Sequence, residues 1–145
     1  MTSLTERYKK MLPVLLKQHQ LVDDLAHNSV LLKPGKEQGY YNLLDYITDN
    51  IDLDIYTVHT LKIATRFDKV SDVIEVVRFF SGGNSGLFTI KYCYELASKE
   101  KINISQEEYN NYIFKGEFPV DENGNDIEDF DSRYLTFYCL LNYHE

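Results

Sequence analysis

Tryptophan is absent from this 145-residue sequence, and cysteine and proline are scarce, at two and three residues. The cysteines, Cys93 and Cys139, each lie inside an apolar stretch. That placement points to buried reduced thiols rather than a disulfide. No run approaches the ~18 apolar residues of a membrane span. The opening segment, MTSLTERYKKMLPVLL, carries charge where a signal peptide needs its apolar stretch. A cytoplasmic protein is therefore expected, in which the sequon at Asn103-Ile104-Ser105 has no meaning. Internal repeats, low-complexity tracts and Pro/Gly/Ser linkers are also missing, so residues 1–145 read as a single compact domain.

What is present is an ordinary globular composition, 43% hydrophobic and 26% charged, which argues against wholesale disorder despite a net charge of -8. A chain of this length buries roughly two thirds of its unfolded surface. Twelve Tyr and eight Phe supply large, semi-polar rings suited to a core edge or a contact surface. Charge is unevenly spread. Residues 1–55 carry six basic and eight acidic side chains, residues 56–102 seven and five, and residues 103–145 two and ten. The last third thus carries an excess equal to that of the whole protein.

Periodicity predicts an α+β protein. Leu4, Tyr8, Met11, Leu12, Leu15, Val22 and Leu25 share one face of an amphipathic helix over Leu4–His27, with Pro13 expected to kink or restart it. Asn28 and LKPGKEQG end it, and a short helix follows over Tyr40–Asn50. Residues 53–67 fit either helix or strand, with helix favoured over the second half. Ser71 is a credible N-cap for a helix to Phe80, closed by Gly82 or Gly83 in the left-handed conformation.

Strand alternation then begins over residues 87–96, placing Phe88, Ile90, Tyr92, Tyr94 and Leu96 on one face. Ser105 and Glu108 form a capping box for a helix that Gly116 closes. Asn123-Gly124 signals a hairpin between VDE and NDIEDF. Leu135, Phe137, Cys139, Leu141 and Tyr143 alternate as a core-facing strand, with a helix from Asp131 or Ser132 as the alternative.

The glycine-rich SGGNSG, residues 81–86, invites comparison with phosphate-binding loops. It lacks the lysine and hydroxyl of GxxxxGK[ST], and it leaves a helix C-terminus instead of opening an N-terminus, so a turn is expected. The G-x-S-x-G elbow also fails, because Leu87 occupies the last position. His19, Asp23 and His27 recur every fourth residue, but His27 has rotated about 80° from His19, so a metal site is not expected. No local signature joins His59 to Cys93 as base and nucleophile. The run from Asp121 fails as a calcium loop, with Asp126 where glycine is needed and Ser132 where glutamate is needed. No catalytic, cofactor or metal residues are assigned, and no enzyme is expected.

The order of helices over 40–50, 57–67 and 71–80, a glycine turn and a strand over 87–96 resembles a winged helix-turn-helix. The resemblance covers about 55 residues and is one of spacing. It implies a third helix that reads DNA, yet that helix offers Asp72, Glu75 and Arg78, a poor surface for phosphates. Lys62, Arg66, Lys69 and Lys91 supply a modest patch at most, so direct nucleic-acid binding is not favoured. Glu117, Asp121, Glu122, Asp126, Glu128, Asp129 and Asp131 fall in fifteen residues without Lys or Arg. They are the expected contact with a protein of basic surface, such as a nuclease. In size and charge the chain resembles immunity proteins of bacterial toxin systems and phage-encoded anti-defence inhibitors. The alternative is a winged-helix regulator, a homodimer through residues 4–27.

Overall fold

A computed structural model of the chain describes residues 4–28, 32 and 34–142. Among them run the helices α1 (Leu4–Asn28) and α2 (Glu37–Asp49), strand β1 (Ile55–Thr57), then α3 (Val58–Thr65) and α4 (Val70–Ser81). Strands β2 (Phe88–Glu95) and β3 (Lys101–Ile104), helix α5 (Gln106–Lys115), a 3-10 turn over Ser132–Tyr134 and strand β4 (Leu135–Leu141) complete the order. The class is α+β, with an antiparallel sheet ordered β1-β4-β2-β3. Two members of the expected patterns, the side chain of Leu4 and the whole of Tyr143, lie outside the described residues.

Two compact units divide the chain, Met1–Ile90 with Cys139–Glu145, and Lys91–Tyr138. In the first, α1 packs on α2, α2 on α3, and α3 on α4. Met11, Leu15 and Val22 of α1 join Leu43, Leu44, Ile47, Leu61, Val73, Val77 and Phe80 in a core from which water is excluded. Leu12, expected on the buried face, is exposed, as is Leu16 beside it.

Helix α1 runs unbroken through Pro13. Pro13 is exposed, so the Lys9 carbonyl that it deprives of a donor can be hydrated. Helix α2 starts three residues earlier than expected and contains Gly39, where any Cβ would overlap the ring of Phe67. That glycine is the close approach through which the α3–α4 connection sits on α2.

The ambiguous run 53–67 resolves into a short strand followed by a helix. Thr57 caps α3 by accepting from the Thr60 amide at 3.2 Å, and Arg66 closes it in a left-handed conformation (φ 64°). Two expectations about α4 are corrected. Its N-cap is Lys69, not Ser71, and the Lys69 carbonyl takes the amides of Asp72 and Val73, each at 3.1 Å. Its exit is not a left-handed Gly82 or Gly83. Gly82 is extended (φ -66°), and Gly86 (φ 62°) makes the reversal, donating to the Gly82 carbonyl at 2.8 Å.

The last residues close this unit. The Leu141 amide donates to the Asp54 carbonyl at 2.9 Å, and the Asn142 amide to that of Leu87 at 2.8 Å. The Asn142 side chain ties Gly86 O and Thr89 Oγ1, at 3.2 and 3.0 Å.

In the second unit, β2 and β3 pair antiparallel, with Tyr92 opposite Ile104 and Glu95 opposite Lys101. The Ser105 hydroxyl accepts from the Glu108 amide at 3.1 Å, and Gly116 (φ 71°) closes α5. Only half of the expected capping box forms, because Glu108 Oε1 accepts from the Val120 amide at 3.3 Å. The expected hairpin reduces to one bridge, Val120 with Asp126. Asp121 Oδ1 takes the amides of Asn123 and Asn125, each at 2.9 Å, and so satisfies locally the donors a longer ladder would use. Residues 135–141 are a strand with Phe137, Cys139 and Leu141 buried, and the helix alternative reduces to the single 3-10 turn before it.

Candidate protein-binding surface

The second unit holds its loops with aromatic rings. Tyr92, Tyr109 and Phe137 form one cluster, with Tyr92 and Tyr109 at 4.7 Å between ring centroids. A second cluster runs through the acidic stretch. Phe130 meets Phe118 at 5.0 Å, Tyr112 at 5.1 Å and Tyr94 at 5.4 Å, and Tyr94 meets Tyr134 edge-on at 6.3 Å. The Asp131 amide donates to the Tyr94 hydroxyl at 2.9 Å, which fastens the loop to β2.

This packing leaves large apolar groups outside. Phe114 is 73% exposed and Phe118 69%, with Ile113 and Tyr134 also open to solvent. Phe118 therefore rests one side on Phe130 and presents the remainder to water. Phe114, Gly116 and Phe118 follow each other around the C-terminal end of α5, where the left-handed Gly116 turns the chain.

The seven expected carboxylates have two fates. Asp121 is turned onto backbone amides, and Asp131 caps the 3-10 turn and pairs with Arg133, whose Nη2 lies 2.6 Å from Oδ2. Hydrogen bonds from Arg133 hold the Asp131 carboxyl below its ordinary range. Glu117, Glu122, Asp126, Glu128 and Asp129 are exposed, and none has an ion pair among the described residues. Sequence periodicity could not identify Phe114 and Phe118 as exposed, since both have the side chains of a core. The available clue was their position astride Gly116.

The other candidates are accounted for by local bonds. Ser85 is buried, and its hydroxyl lies 2.5 Å from Gln18 Oε1 and 2.9 Å from the Phe80 carbonyl, while accepting from the Leu87 amide at 3.3 Å. Gln18 Nε2 donates to the Ser85 carbonyl at 3.1 Å. The glycine-rich turn is thus pinned to α1. It borders an open concavity of about 580 Å³, walled by Leu21, Leu25 and Phe79 with Asp24 and Arg78 at its polar side. No histidine or cysteine lines that concavity.

His19 stacks on Tyr41, Asp23 takes the Tyr41 hydroxyl, and His27 Nδ1 lies 2.7 Å from the Asp23 carbonyl, so two of the side chains are engaged by Tyr41 and the third by backbone. Among the described residues no group of His, Cys, Asp and Glu could hold a metal ion. His59 is exposed, and burial pushes the Cys93 thiol up, away from the thiolate a nucleophile needs. No helix of the described residues is long and apolar enough to cross a membrane.

On α4, Ser71 and Glu75 are exposed and Asp72 pairs with Lys36 at 3.1 Å. Arg66, Lys69 and Lys91 are exposed and Lys62 is half-buried. No protein-family model, no curated protein and no solved structure matches the chain.

Proposed function

We propose that the chain is a cytoplasmic protein-binding protein that engages a partner with a basic surface, such as a nuclease, through residues 113–134, and inhibits it by covering that surface. One observation carries this reading: solvent-exposed Phe114, Phe118 and Tyr134 lie in the same stretch as five exposed carboxylates that have no ion pair among the described residues. Rim charges of one sign raise the rate of encounter with a basic partner. Aromatic groups that are exposed alone and desolvated on binding supply most of the affinity. A purely solubilising acidic loop needs the first property and not the second. Two buried free thiols accord with a reducing compartment.

The test compares wild type, the triple charge reversal Asp126→Lys, Glu128→Lys, Asp129→Lys, and Phe118→Ser as baits in lysate of the source cell, followed by association kinetics on the captured protein. Charge reversal should slow association at least ~10-fold at low salt, and Phe118→Ser should speed dissociation. Unchanged on-rates would remove the carboxylates from the contact.

A second reading rests on the order of α2, α3, α4, the glycine turn and β2, which resembles that of a winged helix. It would make the chain a DNA-binding regulator. Helix α4 counts against it, because Glu75 is exposed there and its basic residue, Arg78, is only half-exposed, while base and phosphate contacts need cations. Fluorescence anisotropy with a labelled mixed-sequence duplex decides: binding that weakens steeply with salt supports the regulator, and no binding at low salt removes it.

A further inference from the structure

Leu16 is 61% exposed, more than any other large apolar side chain described in the first unit. It sits in the middle of a solvent-facing stripe on α1, in which Asp23 keeps its carboxylate exposed while accepting the Tyr41 hydroxyl. Lys9, Leu16 and Asp23 are spaced by seven residues, which brings each within about 20° of the last around a helix of 3.6 residues per turn. Leu12, Pro13 and Gln20 flank the line, and all six side chains are exposed. The stripe is therefore basic at one end, apolar in the centre and acidic at the other. Met11, Leu15 and Val22, which define the helix's main apolar face, are spent on its own core and are unavailable to a partner.

We propose that this stripe pairs with the same stripe of a second copy, antiparallel, about a two-fold axis at Leu16. In that arrangement a residue seven places before Leu16 faces one seven places after it. Lys9 then meets the partner copy's acidic end twice, about 10 Å to either side of the axis. Leu16 meets its own counterpart, and Leu12 lies against the Gln20 position. Parallel pairing would set lysine on lysine and aspartate on aspartate. The sequence of charges along the stripe thus complements itself in one orientation only, as an isologous contact requires. An aliphatic centre with opposite charges at its two ends does not suit a uniformly basic or acidic partner, which would be repelled at one end.

One helix from each copy makes an interface at the small end of the specific range, so a dissociation constant on the order of 1–100 µM is expected. The experiment is sedimentation equilibrium of the full chain between about 1 and 300 µM, a range set by that constant. Wild type should show a monomer–dimer equilibrium. Leu16→Glu places two carboxylates on the axis and should raise the dissociation constant at least ~30-fold. Lys9→Asp and Asp23→Lys should each weaken the dimer roughly 5- to 10-fold, and the double swap should return it to within about 3-fold of wild type. Tyr41→Phe, which removes the hydroxyl that Asp23 accepts, should leave association unchanged. All variants should keep the wild-type circular dichroism, since the altered groups are exposed. A monomer throughout, a dimer indifferent to Leu16→Glu, or a double swap weaker than either single change would each overturn the proposal.

Discussion

Replacing Gln18 by leucine tests whether the glycine-rich turn is held from α1. Gln18 is fully buried, and its two polar atoms have one neighbour, Ser85. Leucine nearly conserves the volume, so little cavity forms, but the Ser85 carbonyl loses its 3.1 Å donor in a buried site. A buried carbonyl left unpaired costs about 1–3 kcal/mol, so a loss of ~2 kcal/mol is expected. The Ser85 hydroxyl is spared much of the effect. It has one proton, and the Phe80 carbonyl at 2.9 Å can take it.

Ser85→Ala should cost a similar ~2 kcal/mol, by stranding Gln18 Oε1 and weakening the hold on the Leu87 amide. The two changes share a contact, so they should not add. With Gln18 gone there is no Oε1 to strand, and the double variant should be less destabilised than the sum by ~1 kcal/mol. Urea unfolding followed by far-ultraviolet circular dichroism is suitable, because four of the five α-helices among the described residues belong to the first unit. A 2 kcal/mol loss moves the midpoint by about 1 M. A Gln18→Leu midpoint equal to wild type, or strict additivity, would refute the pinning argument.

Other expectations follow from single residues. Gly86→Ala should destabilise by about 1 kcal/mol because Gly86 is left-handed, whereas Gly83→Ala, with no atom within 4 Å of its added Cβ, should change stability by less than ~0.5 kcal/mol. Gly39→Ala should cost about 2 kcal/mol unless the ring of Phe67 swings aside, and a second change of Phe67 to Leu should recover part of that loss in thermal melts.

Tyr56 is buried, and its hydroxyl has no hydrogen-bond partner among the described residues, so Tyr56→Phe should be neutral or stabilising by up to ~1 kcal/mol in the same melts, and a clear loss would contradict this. Burial pushes the Cys139 thiol from 9.0 up to about 12 and raises the Tyr56 phenol as well. Both groups keep their protons longer folded than unfolded, so stability should hold to about pH 9 and then fall with rising pH. Each group contributes a slope of about 1.4 kcal/mol per pH unit, Cys139 from its unfolded value upward and Tyr56 above about pH 10. A flat urea midpoint from pH 9 to 11 would contradict this.

The elements legible in the sequence are those whose pattern is local. Helix α5 was readable because Ser105 and Gly116 mark its two ends, and β4 because Phe137, Cys139 and Leu141 alternate. Misreadings arose where solvent exposure, a distant ring or a competing side chain decides. Pro13 fails to break α1 because its solvent-facing position lets water serve the stranded carbonyl. Gly39 looked like part of a loop, and its reason is Phe67, twenty-eight residues away. The expected hairpin at Asn123-Gly124 is short because the Asp121 carboxylate competes for the backbone amides. Of the binding surface, the charge was visible in composition. Which rings face water was not, because exposure of Phe114 and Phe118 depends on how fully Phe130 and Tyr112 fill the loop.

The manner in which the first unit is closed has a consequence for synthesis. Its sheet is completed by hydrogen bonds from Leu141 and Asn142 to Asp54 and Leu87. Everything from Lys91 to Tyr138 must therefore leave the ribosome before the older part of the chain can finish folding. A message truncated after Tyr138 would yield a chain with the acidic, aromatic segment entire and an unfinished body of helices with unpaired strand edges. Such a product would be exposed to aggregation and proteolysis while still displaying the proposed contact.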